Sequence, residues 1–204
     1  MDGYTVVVLG AGGHAKVAIR TLELSGYQIV GVFDDNPGKH GESIMGYPIQ
    51  GYLEDVLGSG CNRALLAIGD NATRQQLVAR FPNLEWITAI HPHAWVDTSV
   101  VLGPGTVVFA GAVIQADTVI GKHTIINTGA SIDHDCVLGD FTHIAPGAHL
   151  AGQIIVGEGC LVGIGAVVIP GKHIGEWATL GAGSVTVKDI PAHVVATGVP
   201  ACPK

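Results

Sequence analysis

Several features are scarce in this chain of 204 residues, and each scarcity excludes something. Although 48% of the residues are hydrophobic, no stretch approaches the ~18–20 uninterrupted apolar residues of a membrane-spanning helix. A membrane is therefore not an expected partner. Basic residues are few: 10 Lys and Arg stand against 17 Asp and Glu, a net charge of −7, which argues against nucleic acid or an anionic membrane surface. The four cysteines (Cys61, Cys136, Cys160 and Cys202) form no C-x-x-C pair and no dense framework, so neither a zinc site nor a disulfide scaffold is expected, and a cytoplasmic location is. Met1-Asp2-Gly3 lacks the basic-then-apolar opening of a secretory leader. Charged residues make up 13% of the chain, about half of the roughly 25% usual in soluble domains. So little charged surface points to subunit contact.

Glycine is plentiful, at 30 residues, and a strict rhythm runs through the second half. Every sixth residue from Ile90 to Leu180 is Ile, Leu or Val, sixteen positions without an insertion. Four residues after each, the side chain is mostly small, as at Thr106, Ala112, Ala130, Cys136, Ala148 and Cys160; Val100, Ile154 and Lys172 break the pattern. Gly103, Gly121, Gly139, Gly157 and Gly175 add a second period of eighteen. A period of six suits a short strand plus a tight corner, and three such units close one triangular coil. The aliphatic column is expected to point inward, with coils stacked at roughly 4.8 Å. The glycines are expected to supply corner angles that a Cβ penalises. A valine-rich sandwich does not keep register over so long a run.

This pattern resembles the hexapeptide-repeat acyltransferases. The resemblance implies an all-β, left-handed parallel β-helix that assembles as a homotrimer; neither handedness nor assembly follows from periodicity.

The first ninety residues have another rhythm. Thr5–Leu9 reads as a buried strand, followed by Gly10-Ala11-Gly12-Gly13-His14-Ala15. An amphipathic helix then runs to about Ser25, with Val17, Ile19, Leu22 and Leu24 as its apolar residues. Gln28–Phe33 and Ala64–Ile68 read as further strands, Arg74–Phe81 as a helix, and Trp86–Ile90 as a last strand. Alternating strands and helices predict an α/β half-Rossmann unit, a small parallel sheet covered by helices. The domains expected are 1–88 (α/β), 89–186 (β-helix) and 187–204 (a tail packed on the helix).

Gly10-x-Gly12-x-x-Ala15, with Asp34 downstream, fits a nucleotide-binding fingerprint. Gly10, Gly12 and Gly13 let backbone N–H groups approach a phosphate at a helix N-terminus. The segment is too short for both halves of a dinucleotide site, so a nucleoside diphosphate handle suits it better. His14 follows the glycines, and Asp34, Asp35 and Asn36 end a strand where a base or ribose would sit. Each also has a plain explanation: a ligand-free turn, a polar helix start, a turn cluster. Asp70 and Asn71 open a helix, where simple capping is the alternative.

The combination resembles one branch, the bacterial nucleotide-sugar N-acetyltransferases related to sialic acid O-acetyltransferases. The resemblance covers essentially the whole chain. It rests on Gly10-Ala11-Gly12-Gly13-His14-Ala15-Lys16, Phe33-Asp34-Asp35, Ile68-Gly69-Asp70-Asn71, Asn127-Thr128-Gly129-Ala130, Asp133-His134-Asp135-Cys136 and Gly198-Val199-Pro200-Ala201. It implies acetylation of the 4-amino group of a nucleotide-linked deoxyamino sugar for surface glycans, with acetyl-CoA as donor and sites between subunits.

Acetyl transfer to an amine needs deprotonation, oxyanion stabilisation and alignment. Histidine is the natural base near neutral pH. His134 is flanked by Asp133 and Asp135 and falls two residues past an aliphatic position, near a coil corner and facing outward. A solvated polar triplet is the alternative. The resemblance implies His134 as general base with Asp135 beside it, Asn127 and His143 at the substrate, the acetyl carbonyl near the Gly152 N–H, and pantetheine along Ile164 and Ala182. Asn127 as a corner residue and His143 as packing stay open. Lys172, Lys188 and Lys204 supply positive charge late in the chain; Lys172 and Lys188 are candidates for coenzyme A phosphates, with surface solubility as the alternative. The tail lacks the basic residue common after Val-Pro-Ala in the family. A carbonic-anhydrase-type metal site is not expected, because no two of the histidines from His91 to His173 lie five apart. Two other readings remain: O-acetylation of a sialic acid or similar hydroxyl, and a non-catalytic sugar-nucleotide binder.

Overall fold

The computed structural model describes residues 4–204. The expectation drawn from Met1-Asp2-Gly3 lies outside the described residues. The chain divides into two compact units between Pro92 and His93.

The first unit is built on β1 (Thr5–Leu9), α1 (Gly13–Leu24), β2 (Gln28–Phe33), β3 (Ser43–Ile44), β4 (Tyr47–Gly51), β5 (Arg63–Leu66), α2 (Asn71–Arg80) and β6 (Glu85–Trp86). The sheet order is β3-β4-β2-β1-β5-β6, parallel throughout except for the β3–β4 pair. Strands this apolar must be covered on both faces. Val7, Leu9, Phe33, Leu53, Ala64, Leu66, Leu77 and Phe81 form one core cluster. On α1 the buried face is Ala15, Ala18, Ile19, Thr21 and Leu22, whereas Val17 and Leu24 are exposed. Hydropathy misassigned those two because the small residues at the 3–4 spacing allow close approach to the sheet.

The second unit is a triangular prism. Its first face begins with the strand Trp95–Val96, its second with Val101–Leu102 and its third with Val107–Val108. Each strand pairs in parallel with the one eighteen residues on, as in Val113↔Ser131, Val119↔Val137 and Ile125↔His143. Val195–Thr197 extends the third face in parallel, and Cys202–Pro203 closes it antiparallel. The aliphatic positions from Val108 to Leu180 are buried, each contributing roughly 1.5–3 kcal/mol as an upper estimate. Val96 and Leu102 are half-buried, and Ile90 is 38% exposed. The column is therefore shorter than its sequence pattern, because a coil stacked on one side only leaves its first members partly open.

The small residues four positions on are inward too, and their chemistry has a cause. The Thr106 and Thr118 hydroxyls donate to the carbonyls of Gly121 and Asp133, both at 2.9 Å, and the Cys160 thiol donates to Gly175 O at 2.9 Å. A short donor can thus be buried at a corner because a carbonyl of the next coil takes it.

The eighteen-spaced glycines play a different part from the one expected. None of Gly103, Gly121, Gly139, Gly157 and Gly175 has a positive φ. A Cβ on Gly139 would instead lie 2.6 Å from Glu158 N, and one on Gly157 2.5 Å from Glu176 N. Close backbone stacking along the edge between the second and third faces excludes a side chain there. The left-handed corner residue comes three positions after the aliphatic one, as at Gly129, Asp135, Phe141 and Gly147.

Candidate functional site

In the first unit, the C-terminal ends of β1, β2 and β5 bring Gly10, Asp34 and Ile68 to one edge of the sheet, where open α/β folds place ligands. Gly10 has φ +110°, and a Cβ on it would lie 2.9 Å from Ile68 Cγ1. Side chains at Gly12 or Gly13 would meet nothing within 4 Å, so space is open beside the start of α1. Gly12 caps α1 without a side-chain hydrogen bond, and its first turn carries no acid. The positive end of the helix dipole is thus left for an anion. Gly10, Asp34, Asp35, Leu53, Ile68, Thr73 and Leu77 line a cavity of about 190 Å³.

The acidic candidates there hold the protein itself together. Asp34 Oδ2 accepts from Ala11 N at 2.7 Å and from Lys39 Nζ at 2.9 Å, while Oδ1 accepts from Asn36 N at 2.9 Å. Partial burial opposes ionisation of Asp34, but the bonds from Lys39, Asn36 and Ala11 outweigh it and hold the carboxyl below its usual pKa. Asn36 in turn accepts from Gly38 N at 3.0 Å. Asp35 accepts from Leu53 N and from Arg80 Nη1, both at 2.9 Å. Asp70 caps α2 through Thr73 N at 2.8 Å, and Asn71 is the buried first residue of that helix.

Arg74, which sequence reasoning passed over, is 1% exposed. Its Nη1 donates to Gly69 O at 2.9 Å and Ile68 O at 3.3 Å. Burial, and then this guanidinium, lower the His14 pKa to about 4, so His14 is a neutral ring beside the glycine loop. The weak signal for Arg74 was its place one helical turn after Asp70, with a spacing that capping residues do not require.

In the second unit, the candidates sort onto two edges of the prism. On the edge between the first and second faces lie His134, Asp135, Gly152, Lys172 and Lys188. Asp135 occupies the left-handed corner position at φ +59°, and its Oδ2 lies 2.7 Å from His134 Nδ1. A carboxylate only accepts, so Nδ1 carries the proton and Nε2 keeps a lone pair in the neutral ring. The His134 ring rests on the next coil: a Cβ on Gly152 would sit 2.7 Å from both Cε1 and Nε2. His134 and Asp135 are exposed.

Asn127, Ile164 and Ala182 lie instead on the edge between the third and first faces, and His143 opens a strand of the third face beside it. Asn127 Nδ2 donates to His143 Nε2 at 3.0 Å, so these two are brought together. Ile164 and Ala182 are exposed along the same edge. One chain thus presents a base-bearing edge and a separate edge with the amide–imidazole pair. The remaining edge carries Asp140, Glu158 and Glu176, beside a cavity of about 390 Å³ lined partly by Glu158, His173 and Glu176. Stacked carboxylates make that edge a poor seat for phosphates.

Among the described residues, no group of three or more His, Cys, Asp or Glu side chains is placed to hold a metal ion, and no helix is long and apolar enough to cross a membrane.

The family model for the PglD N-terminal domain matches residues 5–81, and that for the bacterial transferase hexapeptide (six repeats) matches residues 117–152. The structure of PerB from Caulobacter crescentus, solved in complex with CoA and GDP-perosamine, superposes with a TM-score of 0.93 at 43% identity, over 98% of this chain and 97% of that one. The acetyltransferase domain of PglB from Neisseria gonorrhoeae superposes with a TM-score of 0.93 at 37% identity, over 99% and 100%. Among curated relatives, UDP-N-acetylbacillosamine N-acetyltransferase from Bacillus subtilis is 42% identical over 118 residues, 52% of this chain. The chain spans 51% of that relative's length and 22% of the uncharacterized protein L142 of Acanthamoeba polyphaga mimivirus. On this likeness across both units, the chain belongs to the nucleotide-sugar N-acetyltransferases of the hexapeptide-repeat, left-handed β-helix superfamily.

Proposed function

We propose that this protein transfers acetyl from acetyl-CoA to the C4 amino group of a nucleotide-linked deoxyamino sugar used in surface-glycan synthesis. The observation that carries the reading is the 2.7 Å His134–Asp135 pair seated on Gly152, an imidazole with its lone pair on Nε2. His134 Nε2 takes a proton from the substrate ammonium. The freed amine attacks the thioester carbonyl, and the Gly152 N–H steadies the resulting oxyanion. Collapse breaks the C–S bond, and the imidazolium gives its proton to the departing thiolate. The acylated nitrogen sheds its second proton to the ring so freed, which passes it to solvent and leaves the amide and the thiol. Asp135 holds the ring tautomer and stabilises its cationic form.

The first unit takes the nucleotide: diphosphate at the Gly10–Gly13 loop and α1, nucleoside toward the cavity lined by Asp34, Asp35 and Leu53. His14, Asn36, Asp70 and Asn71 shape that end of the sheet. Pantetheine runs along Ile164 and Ala182, with Lys172 and Lys188 toward the phosphates. The presence of the base and the Asn127–His143 pair on different edges supports a homotrimer in which neighbouring copies complete each site. Val101, Val119, Val137 and Ile155 form an in-register apolar stripe on the second face, 43–58% exposed, a surface that subunit contact would cover. The four cysteines form no disulfide among the described residues, which fits a cytoplasmic location.

The test is thiol release from acetyl-CoA with UDP-, GDP- and dTDP-linked 4-amino sugars. Turnover with one of them supports the reading. Release only with a hydroxyl acceptor such as a sialic acid moves it to O-acetylation, and no release with any acceptor defeats both.

A further inference from the structure

A positive charge beside the glycine loop comes from a residue outside the fingerprint. Lys39 ends the 3₁₀ turn Pro37–Lys39, which is rigid for local reasons: Pro37 fixes its first φ and Asn36 caps it at Gly38 N. Its far side is pinned as well, since His40 Nε2 donates to Asp34 O at 2.8 Å. Lys39 Nζ and Ala11 N share one acceptor, Asp34 Oδ2, at 2.9 and 2.7 Å. The ammonium and the loop N–H therefore stand no more than 5.6 Å apart, the two distances laid end to end. Both Asp34 oxygens are engaged within the protein, so this carboxylate serves as a bracket.

We infer that Lys39, held against the glycine loop by Asp34, is a binding residue for the diphosphate of the nucleotide-linked substrate. This rests on the reading of the first unit as the nucleotide site. An anionic ligand at the start of α1 would otherwise meet the Asp34 charge beside Ala11; Lys39 cancels that charge and has two further N–H groups to offer. The lysine is partly exposed, so solvent and ligand both reach it. Charge-assisted bonds to phosphate are the strong ones. The sequence offered no sign of this role, because a lysine five residues past Asp34 in a turn reads as ordinary surface.

Calorimetric titration of GDP, UDP and dTDP, and of guanosine, uridine and thymidine, into the full-length wild type and Lys39→Met tests it. The diphosphate that binds wild type should weaken about tenfold or more in the variant, while its nucleoside binds unchanged, and Lys39→Arg should restore most of the loss. The salt dependence of diphosphate binding should also flatten in Lys39→Met. Equal diphosphate affinity in wild type and Lys39→Met overturns the assignment, as does an equal loss for nucleoside and diphosphate, which would mark a structural role. If no diphosphate binds wild type, the nucleotide reading itself has failed and Lys39 falls with it.

Discussion

The imidazole of His134 lies against the backbone of Gly152, the residue one full coil later, so that any side chain at 152 would occupy the ring's own space. The Asp135 carboxylate holds the same ring from the other side at 2.7 Å. Two neighbours, one in sequence and one in stacking, fix the orientation on which the proposed base depends.

Gly152→Ala should therefore lower kcat by about 10²-fold, the scale of a reacting group moved by ~1 Å, although alanine keeps the backbone N–H. His134→Ala should remove most turnover and leave coenzyme A binding nearly intact. Steady-state kinetics alongside coenzyme A titration check both. Wild-type kcat in either variant would contradict the assignment.

The neutral His14 makes the first unit sensitive to mild acid. Its pKa is about 4 in the fold against 6.5 outside it, so the unfolded chain binds the extra proton first. Its contribution to stability is complete above pH 6.5 and fades as pH falls toward 4, by about 3 kcal/mol in all. Asp34, whose pKa is depressed below 3.8, loses its contribution only at still lower pH. Thermal melts of wild type between pH 7.5 and 4.5 should slope downward, and His14→Gln should flatten the slope.

Two glycine substitutions separate backbone contact from corner conformation. Gly139→Ala drives a Cβ to 2.6 Å from Glu158 N and should cost about 1–3 kcal/mol. Gly147→Ala meets no atom within 4 Å but holds φ +64°, a strain of about 1–2 kcal/mol. Denaturant titration should show both losses. An alternative residue distinguishes them: asparagine tolerates the left-handed region, so Gly147→Asn should recover part of its loss, whereas Gly139→Asn should not.

Thiol labelling at neutral pH should divide the cysteines. Cys202 is exposed and Cys61 half-buried, and both should react in the native protein. Burial raises the Cys136 thiol, and raises Cys160 to about 11, so neither forms enough thiolate to react. Both should label only on unfolding, which mass spectrometry of the modified peptides reads directly.

Much of the second unit was legible because its order is local and repeated. A six-residue step with Ile132, Leu138 and Ile144 in it has few ways to fold, and the side-chain direction follows from the step. The corner glycines at eighteen-residue intervals were visible, but their cause was not: only stacked coils reveal that Gly139 faces the backbone of Glu158. Adjacency offered His134 two carboxylates, Asp133 and Asp135, and the family resemblance chose the second, whereas the assignment of Asn127 and His134 to different edges required counting strands into faces. In the first unit the glycine loop announced itself. The jobs of Asp34 and Asp35 did not, since their partners Lys39 and Arg80 belong to a turn and a helix whose approach no pattern encodes, whereas capping by Asp70 was already one of its two sequence readings. Arg74 left only its spacing from Asp70 as a sign, because a cation in a segment that reads as polar gives no hint of its burial.

The unbroken eighteen-residue register of the prism also works as a ruler. Gaining or losing one whole coil would keep every side chain on its own edge and change the reach along that edge by about 4.8 Å. A change of six residues would instead turn everything downstream by a third of a revolution: an insertion would carry the lysines onto the acidic edge, and a deletion would carry the carboxylates onto the reactive one. Length variation that preserves activity in such a chain is thus confined to multiples of eighteen, or to the loops that leave the prism altogether.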